Sequence, residues 1–142
     1  MAALLNDAQR SRLNIVLHEF EKSLREADAW LSEDRPSAGA LYRRRVGLSA
    51  GRRAVVRAQI SAALDEIASL AQTLHLDGVE EDMSAKIAAE MINHWSDLID
   101  SRSHALRRYG AVNPELAGLL DERLTWLAER ALALAHLVQS EE

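Results

Sequence analysis

Apolar residues recur at intervals of three and four along most of the chain, and the stripes they draw predict four helices. The first helix is expected from Asp7 to about Leu31. Leu13, Leu17, Phe20, Leu24, Ala27 and Leu31 form its stripe, Asn6 or Asp7 its cap, and Arg12, Lys22, Arg25 and Glu26 its solvated face. The second starts after Ser49, a good N-cap, and runs to about His75 on Val56, Ile60, Ala63, Ile67, Leu70 and Leu74. Asp77-Gly78 interrupts the pattern, and Glu80-Glu81-Asp82 lead into a third helix at the end where acidic charge suits the helix dipole. That helix carries Ile87, Met91, His94, Leu98 and Ala105 on one seam, with Trp95 and Leu106 beside it, and Gly110 stops it.

Asn113-Pro114-Glu115 supplies a cap, a proline for the first helical position and an acid for the first turn. Leu120, Leu124, Leu127, Ala131, Leu134 and Val138 follow as the fourth stripe. Leu119, Trp126 and Leu137 lie off that seam and add a second apolar side to the same helix. Short links after helices two and three make neighbours antiparallel. The expected fold is therefore all-α, an up-and-down four-helix bundle forming one domain over residues 1–142.

One connection does not fit the pattern of short links. Residues 32–48 include Pro36, Gly39 and the segment Ala40-Leu41-Tyr42-Arg43-Arg44-Arg45-Val46, too apolar at its edges for a free linker. A short helix or an ordered lid is expected there, since long loops in small domains are often functional.

Charge sharpens the interest of that segment. From Arg35 to Leu64 there are seven arginines (Arg35, Arg43, Arg44, Arg45, Arg52, Arg53, Arg57) and no acidic residue. The whole chain carries −5, so the remainder holds −12. Such a division fits an anion site, or a basic zone that meets an acidic surface of its own chain or of a copy. Tyr42, Arg43, Arg44, Arg45, Arg52 and Arg53 are the candidate partner or anion-binding residues. Arg52 and Arg53 fall in the first turn of a helix, where cations oppose the macrodipole unless an anion also sits there. Glu80, Glu81 and Asp82, or the Glu141-Glu142 tail, are the acidic groups available to neutralise them. Nucleic acid is the alternative ligand of the Arg35–Arg57 zone, with Tyr42 stacking on a base.

The remaining chemistry is sparse. Cysteine is absent, which removes disulfides, thiolate metal sites and cysteine nucleophiles. Glu90 and His94 share a helix face, a partial likeness to di-iron carboxylate bundles, but no other helix adds a carboxylate to its apolar seam. His94 is read as a core histidine, His18 as part of a polar face with Asn14, Glu21 and Arg25, and neither metal nor cofactor is expected. Arg130 and His136 are separated by five residues, a spacing repeated at Arg12 and His18. It resembles the Arg-x4–6-His motif of HEPN-type helical ribonucleases over seven residues, although Ala131 replaces the polar residue that family usually carries next. The resemblance implies a dimeric nuclease in which Arg130 stabilises phosphate charge and His136 acts as acid or base.

No basic-then-apolar leader opens the chain and no apolar run approaches a membrane span, so a cytoplasmic protein without a membrane partner is expected. The reading that follows is a non-enzymatic interaction or assembly module, homo-oligomeric or an accessory subunit of a larger complex. Its partner is a second copy or an acidic protein surface, and Leu119, Trp126 and Leu137 are its oligomer interface.

Overall fold

A computed structural model of the chain describes residues 4–33 and 37–139. Arg35 and Pro36 of the connection, and the Glu141-Glu142 tail, lie outside the described residues. The protein is all-α apart from one two-residue strand pair, and it divides into two compact units, Met1–Val79 and Glu80–Glu142.

The first unit is a helical hairpin of α1 (Asp7–Leu31) and α2 (Ala50–Leu74). Asn6 opens α1 with a capping box: its side chain accepts from the Gln9 N–H at 2.8 Å, and the Gln9 side chain accepts from the Asn6 N–H at 3.0 Å. Ser49 caps α2 through the Arg52 N–H at 3.1 Å. His75 ends α2 in the left-handed region (φ 53°), and the Leu76 N–H closes back on the Ala71 carbonyl at 2.9 Å. The seam between the helices is built from Leu13, Leu17, Leu24 and Leu31 against Val56, Ile60, Ala63, Ile67 and Leu74. Phe20 and Leu70, expected on those stripes, are exposed. A helix with one partner covers a narrow strip, so residues at the flank of a broad stripe stay in water.

The connection is neither a helix nor a plain lid. Its strands, β1 (Ser37–Ala38) and β2 (Arg43–Arg44), pair antiparallel, with Ser37 opposite Arg44 and Ala38 opposite Arg43. The Gly39 N–H donates to the Tyr42 carbonyl at 2.8 Å, and a side chain at position 39 would press within 3.3 Å of that oxygen.

The second unit packs α3 (Met83–Ile99) against α5 (Leu116–Gln139), with a one-turn α4 (Ser103–Leu106) and a 3₁₀ turn (Arg107–Tyr109) between them. The single third helix expected up to Gly110 is thus broken after Ile99. Side chains compete for the last carbonyls there: the Ser101 hydroxyl donates to Asp97 O at 2.7 Å, and Arg102 Nε donates to Ile99 O at 3.1 Å. The chain restarts at Ser103 because Asp121 of α5 takes both its N–H (2.7 Å) and its hydroxyl (2.6 Å). Asn113 caps as expected, accepting from the Glu115 N–H at 2.9 Å, but Pro114 and Glu115 form an entering turn and α5 begins at Leu116.

The seam of this unit is made of small residues. Ala88, Ala128 and Ala135 are 0% exposed and Ala131 is 7% exposed, whereas Leu127 and Leu134, placed on the predicted stripe, face water. Leu120, Leu124 and Val138 stay partly covered. Alanine at successive contact points lets two helices approach closely, and the close approach turns the larger leucines to the flank. On α3 Ile87 and His94 are exposed, so His94 is a surface residue rather than a core one, while Met91 and Leu98 are partly covered, as is Ala105 on α4. Among the described residues, no helix is long and apolar enough to cross a membrane.

Candidate functional site

The arginines of the basic stretch divide by position into two groups. Three of them bind within the first unit. The Arg53 guanidinium donates from Nη1 to Leu31 O (3.2 Å) and Glu33 O (3.3 Å), from Nη2 to Val46 O (2.7 Å) and from Nε to Leu48 O (3.2 Å). It caps the C-terminal end of α1, where partial negative charge accumulates, and ties down the descending arm of the connection. Arg57 pairs with Asp28 across the helix seam at 3.0 Å. Arg44 pairs with Glu33 at the base of the strand pair. That hydrogen bond, with the Glu33 charge behind it, raises the Arg44 pKa further above its ordinary value, while its Nε is covered without an acceptor.

The second group faces outward. Arg43, Arg45 and Arg52 are exposed and form no ion pair among the described residues. Leu41 at the tip of the strand pair is fully exposed, and Tyr42 beside it is largely so. Side chains alternate along a strand, so Arg43 points away from Arg44, which turns to Glu33. Arg44 and Arg53 hold the arms of the connection, while Leu41, Arg43 and Arg45 are exposed.

Arg10 had no predicted role. From the opposite end of the unit its Nη1 donates to Leu74 O (2.6 Å) and His75 O (2.8 Å), capping α2 as Arg53 caps α1. Each helix of the hairpin therefore closes the other's carbonyl end with a guanidinium. The position of Arg10 in the first turn of one helix, like that of Arg53 in the first turn of the other, is the signal a sequence offers for such an arrangement. His18 also differs from expectation: it is partly covered and, with Asn14, Leu17, Glu21, Ile67 and Ala71, lines a cavity of about 150 Å³ between the helices.

The second unit offers a different surface. Leu119 (63% exposed), Trp126 (57%) and Leu137 (68%) lie on the outer side of α5, and Leu127 and Leu134 join them at its edge. The guanidinium of Arg130 stacks over the Trp126 ring at 5.2 Å. Arg130 and His136 are both exposed; six residues of helix separate them by about 9 Å along the axis and roughly 120° around it, so within one chain they do not converge. Glu90 and His94 are exposed on α3, and no group of three metal-ligating side chains occurs among the described residues. An open depression at the start of α5 is lined by Ser103, His104, Arg107, Asn113 and Ala117.

The Asp121 carboxylate has a shifted titration. Hydrogen bonds from the Ser103 hydroxyl first, then from the Ser103 N–H, favour the charged form and lower its pKa below the ordinary carboxylate value. Its role is to join the start of α4 to α5.

Comparison of the chain with protein-family models, curated proteins and solved structures finds no match.

Proposed function

We propose that this protein is a non-enzymatic assembly module that associates with copies of itself through the outer side of α5. The observation that carries the reading is the inversion within the second unit: alanines occupy the helix–helix seam while Leu119, Trp126, Leu127, Leu134 and Leu137 remain in water. Contiguous apolar area of that kind on a soluble protein is the usual mark of an interaction surface. A large aromatic and several leucines, with arginine on the ring, match the composition of energetically dominant interface positions. An antiparallel bundle of the four long helices belongs to the same proposal.

Light scattering at tens of micromolar should give a dimer or larger species. Trp126→Glu with Leu137→Glu should shift it to a smaller species with unchanged helical signal, because both side chains are exposed and hold no seam contact. A monomer for the unaltered chain would remove the proposal.

A further inference from the structure

The outer side of α5 carries a row of residues whose order decides how two copies can meet on it. Leu119 and Leu137 each stand nine residues from the buried Ala128, about two and a half turns, and so lie on the side of the helix opposite the seam. Arg123, Trp126, Arg130 and Ala133 complete the row between them, at intervals of four, three, four, three and four. All but the partly covered Ala133 are exposed. Spacing of that kind draws a nearly straight line along a helix, the pattern by which two helices pack side by side.

Two α5 helices can meet along this row in two senses. A parallel pair sets Arg123 on Arg123 and Arg130 on Arg130, two repulsions in a contact that loses its water. An antiparallel pair centred on the level of Ala128 sets each Leu119 against the other's Leu137 and each Trp126 against the other's Arg130, around a two-fold axis. Arg123 then lies over the small side chain of Ala133 and can turn its guanidinium to solvent. Within one chain Arg130 lies over the Trp126 ring at 5.2 Å. It occupies one face of that ring, and the antiparallel pair brings the other copy's guanidinium to the second face.

The edge of the row agrees with this sense. Glu122, Glu129 and His136 follow at intervals of seven on one edge, all exposed. The two-fold axis puts the same edge of both copies together, so each Glu122 lies beside the other's His136, offset by about 3 Å along the helix. The two Glu129 carboxylates come near the axis, where the two Arg130 guanidiniums alternate with them in sign.

Resting on the assembly reading, we infer that two copies pair their α5 helices antiparallel, each Trp126 seated against the other's Arg130. A second copy is the occupant because the row itself supplies both members of every pair, and charge complementarity selects the sense.

The chain has no cysteine, so single introduced thiols report the sense of the pair. Leu119→Cys and Leu137→Cys chains, differing in an affinity tag, are mixed and treated with a short bifunctional maleimide. The expected product is a 119–137 heterodimer. Neither variant alone should link to itself, because like positions lie about 27 Å apart in the antiparallel pair. Arg130→Glu should raise the dissociation constant at least about tenfold and Arg123→Glu less than about threefold. Both side chains are exposed, so the helical signal should not change. An oligomer by light scattering that gives no 119–137 link, that links 119 to 119, or that responds equally to the two charge reversals overturns the inference and leaves assembly through α5 standing. A monomer overturns both.

Discussion

The two helical hairpins of this chain are held together by different means. In the first, leucines and isoleucines meet along the seam, and arginines tie the ends: Arg53 on the carbonyls that close α1, Arg10 on those that close α2, and Arg57 on Asp28 between them. In the second, no guanidinium crosses from α3 to α5 among the described residues; alanines bring the helices close, and Asp121 fixes the turn between them through Ser103. A large-residue seam needs the apolar residues inward and leaves charge to finish the ends. A small-residue seam releases the large ones. The same composition thus yields a basic tip on one unit and an apolar side on the other, each the by-product of how its hairpin closes.

The sharpest way to break this comparison is to put a large residue into the small seam. Ala128 is 0% exposed against α3, and Ala128→Leu adds three heavy atoms where none fit. Overpacking of a close seam costs about 3 kcal/mol, or forces the helices apart. Chemical denaturation should show that loss for Ala128→Leu, and Ala133→Leu, at a less covered position of the same helix, should lie within about 0.5 kcal/mol of the parent chain. Equal effects at the two positions would mean that the alanines are not the contact.

A smaller effect is expected in the first unit. Arg53→Met keeps the stem but leaves the carbonyls of Leu31, Glu33, Val46 and Leu48 without their charged donor. Losing a hydrogen-bonded charge of this kind costs about 2 kcal/mol. Its neighbour Arg52 is exposed, and Arg52→Met should change stability by no more than about 0.5 kcal/mol. The contrast between adjacent arginines distinguishes the end-tying role from a general effect of basic charge. Hydrogen exchange read by mass spectrometry should localise the Arg53→Met loss to the last turn of α1 and to residues 44–48.

The starts of three helices were legible because periodicity and caps agreed at Asn6, Ser49 and Asn113, the acidic Glu80-Glu81-Asp82 marked the start of α3, and the leucine stripe of α1 predicts its covered side apart from Phe20. Three features were not legible. The break after Ile99 depends on Asp121, eighteen residues beyond Ser103, and a tertiary hydrogen bond leaves no trace in local propensity. The seam of α5 was assigned to Leu127 and Leu134 because leucine outweighs alanine in any apolar pattern, whereas close packing selects by shape. The division of the arginines was also hidden. Arg43, Arg44 and Arg45 are equivalent as sequence, and only the alternation of an extended strand turns Arg44 to Glu33 and leaves its neighbours outward.

The smallest effect concerns that Asp121 contact and appears as a dependence on pH. The folded carboxyl titrates below its unfolded value because Ser103 donates two hydrogen bonds to the charged form. Its contribution to stability is therefore complete above the ordinary carboxylate pKa and is lost as the pH falls through the depressed one. Asp121→Asn retains one acceptor oxygen but places an amide where the second should accept. It should lower Tm at neutral pH, and the gap from the parent chain should narrow as the solution is acidified into that window, since the protonated aspartic acid also loses an acceptor. A gap that stayed constant down to the lowest pH at which the chain remains folded would show that the carboxylate charge does not hold α4 to α5. The two hairpins would then share a simpler rule, in which packing alone closes the second unit.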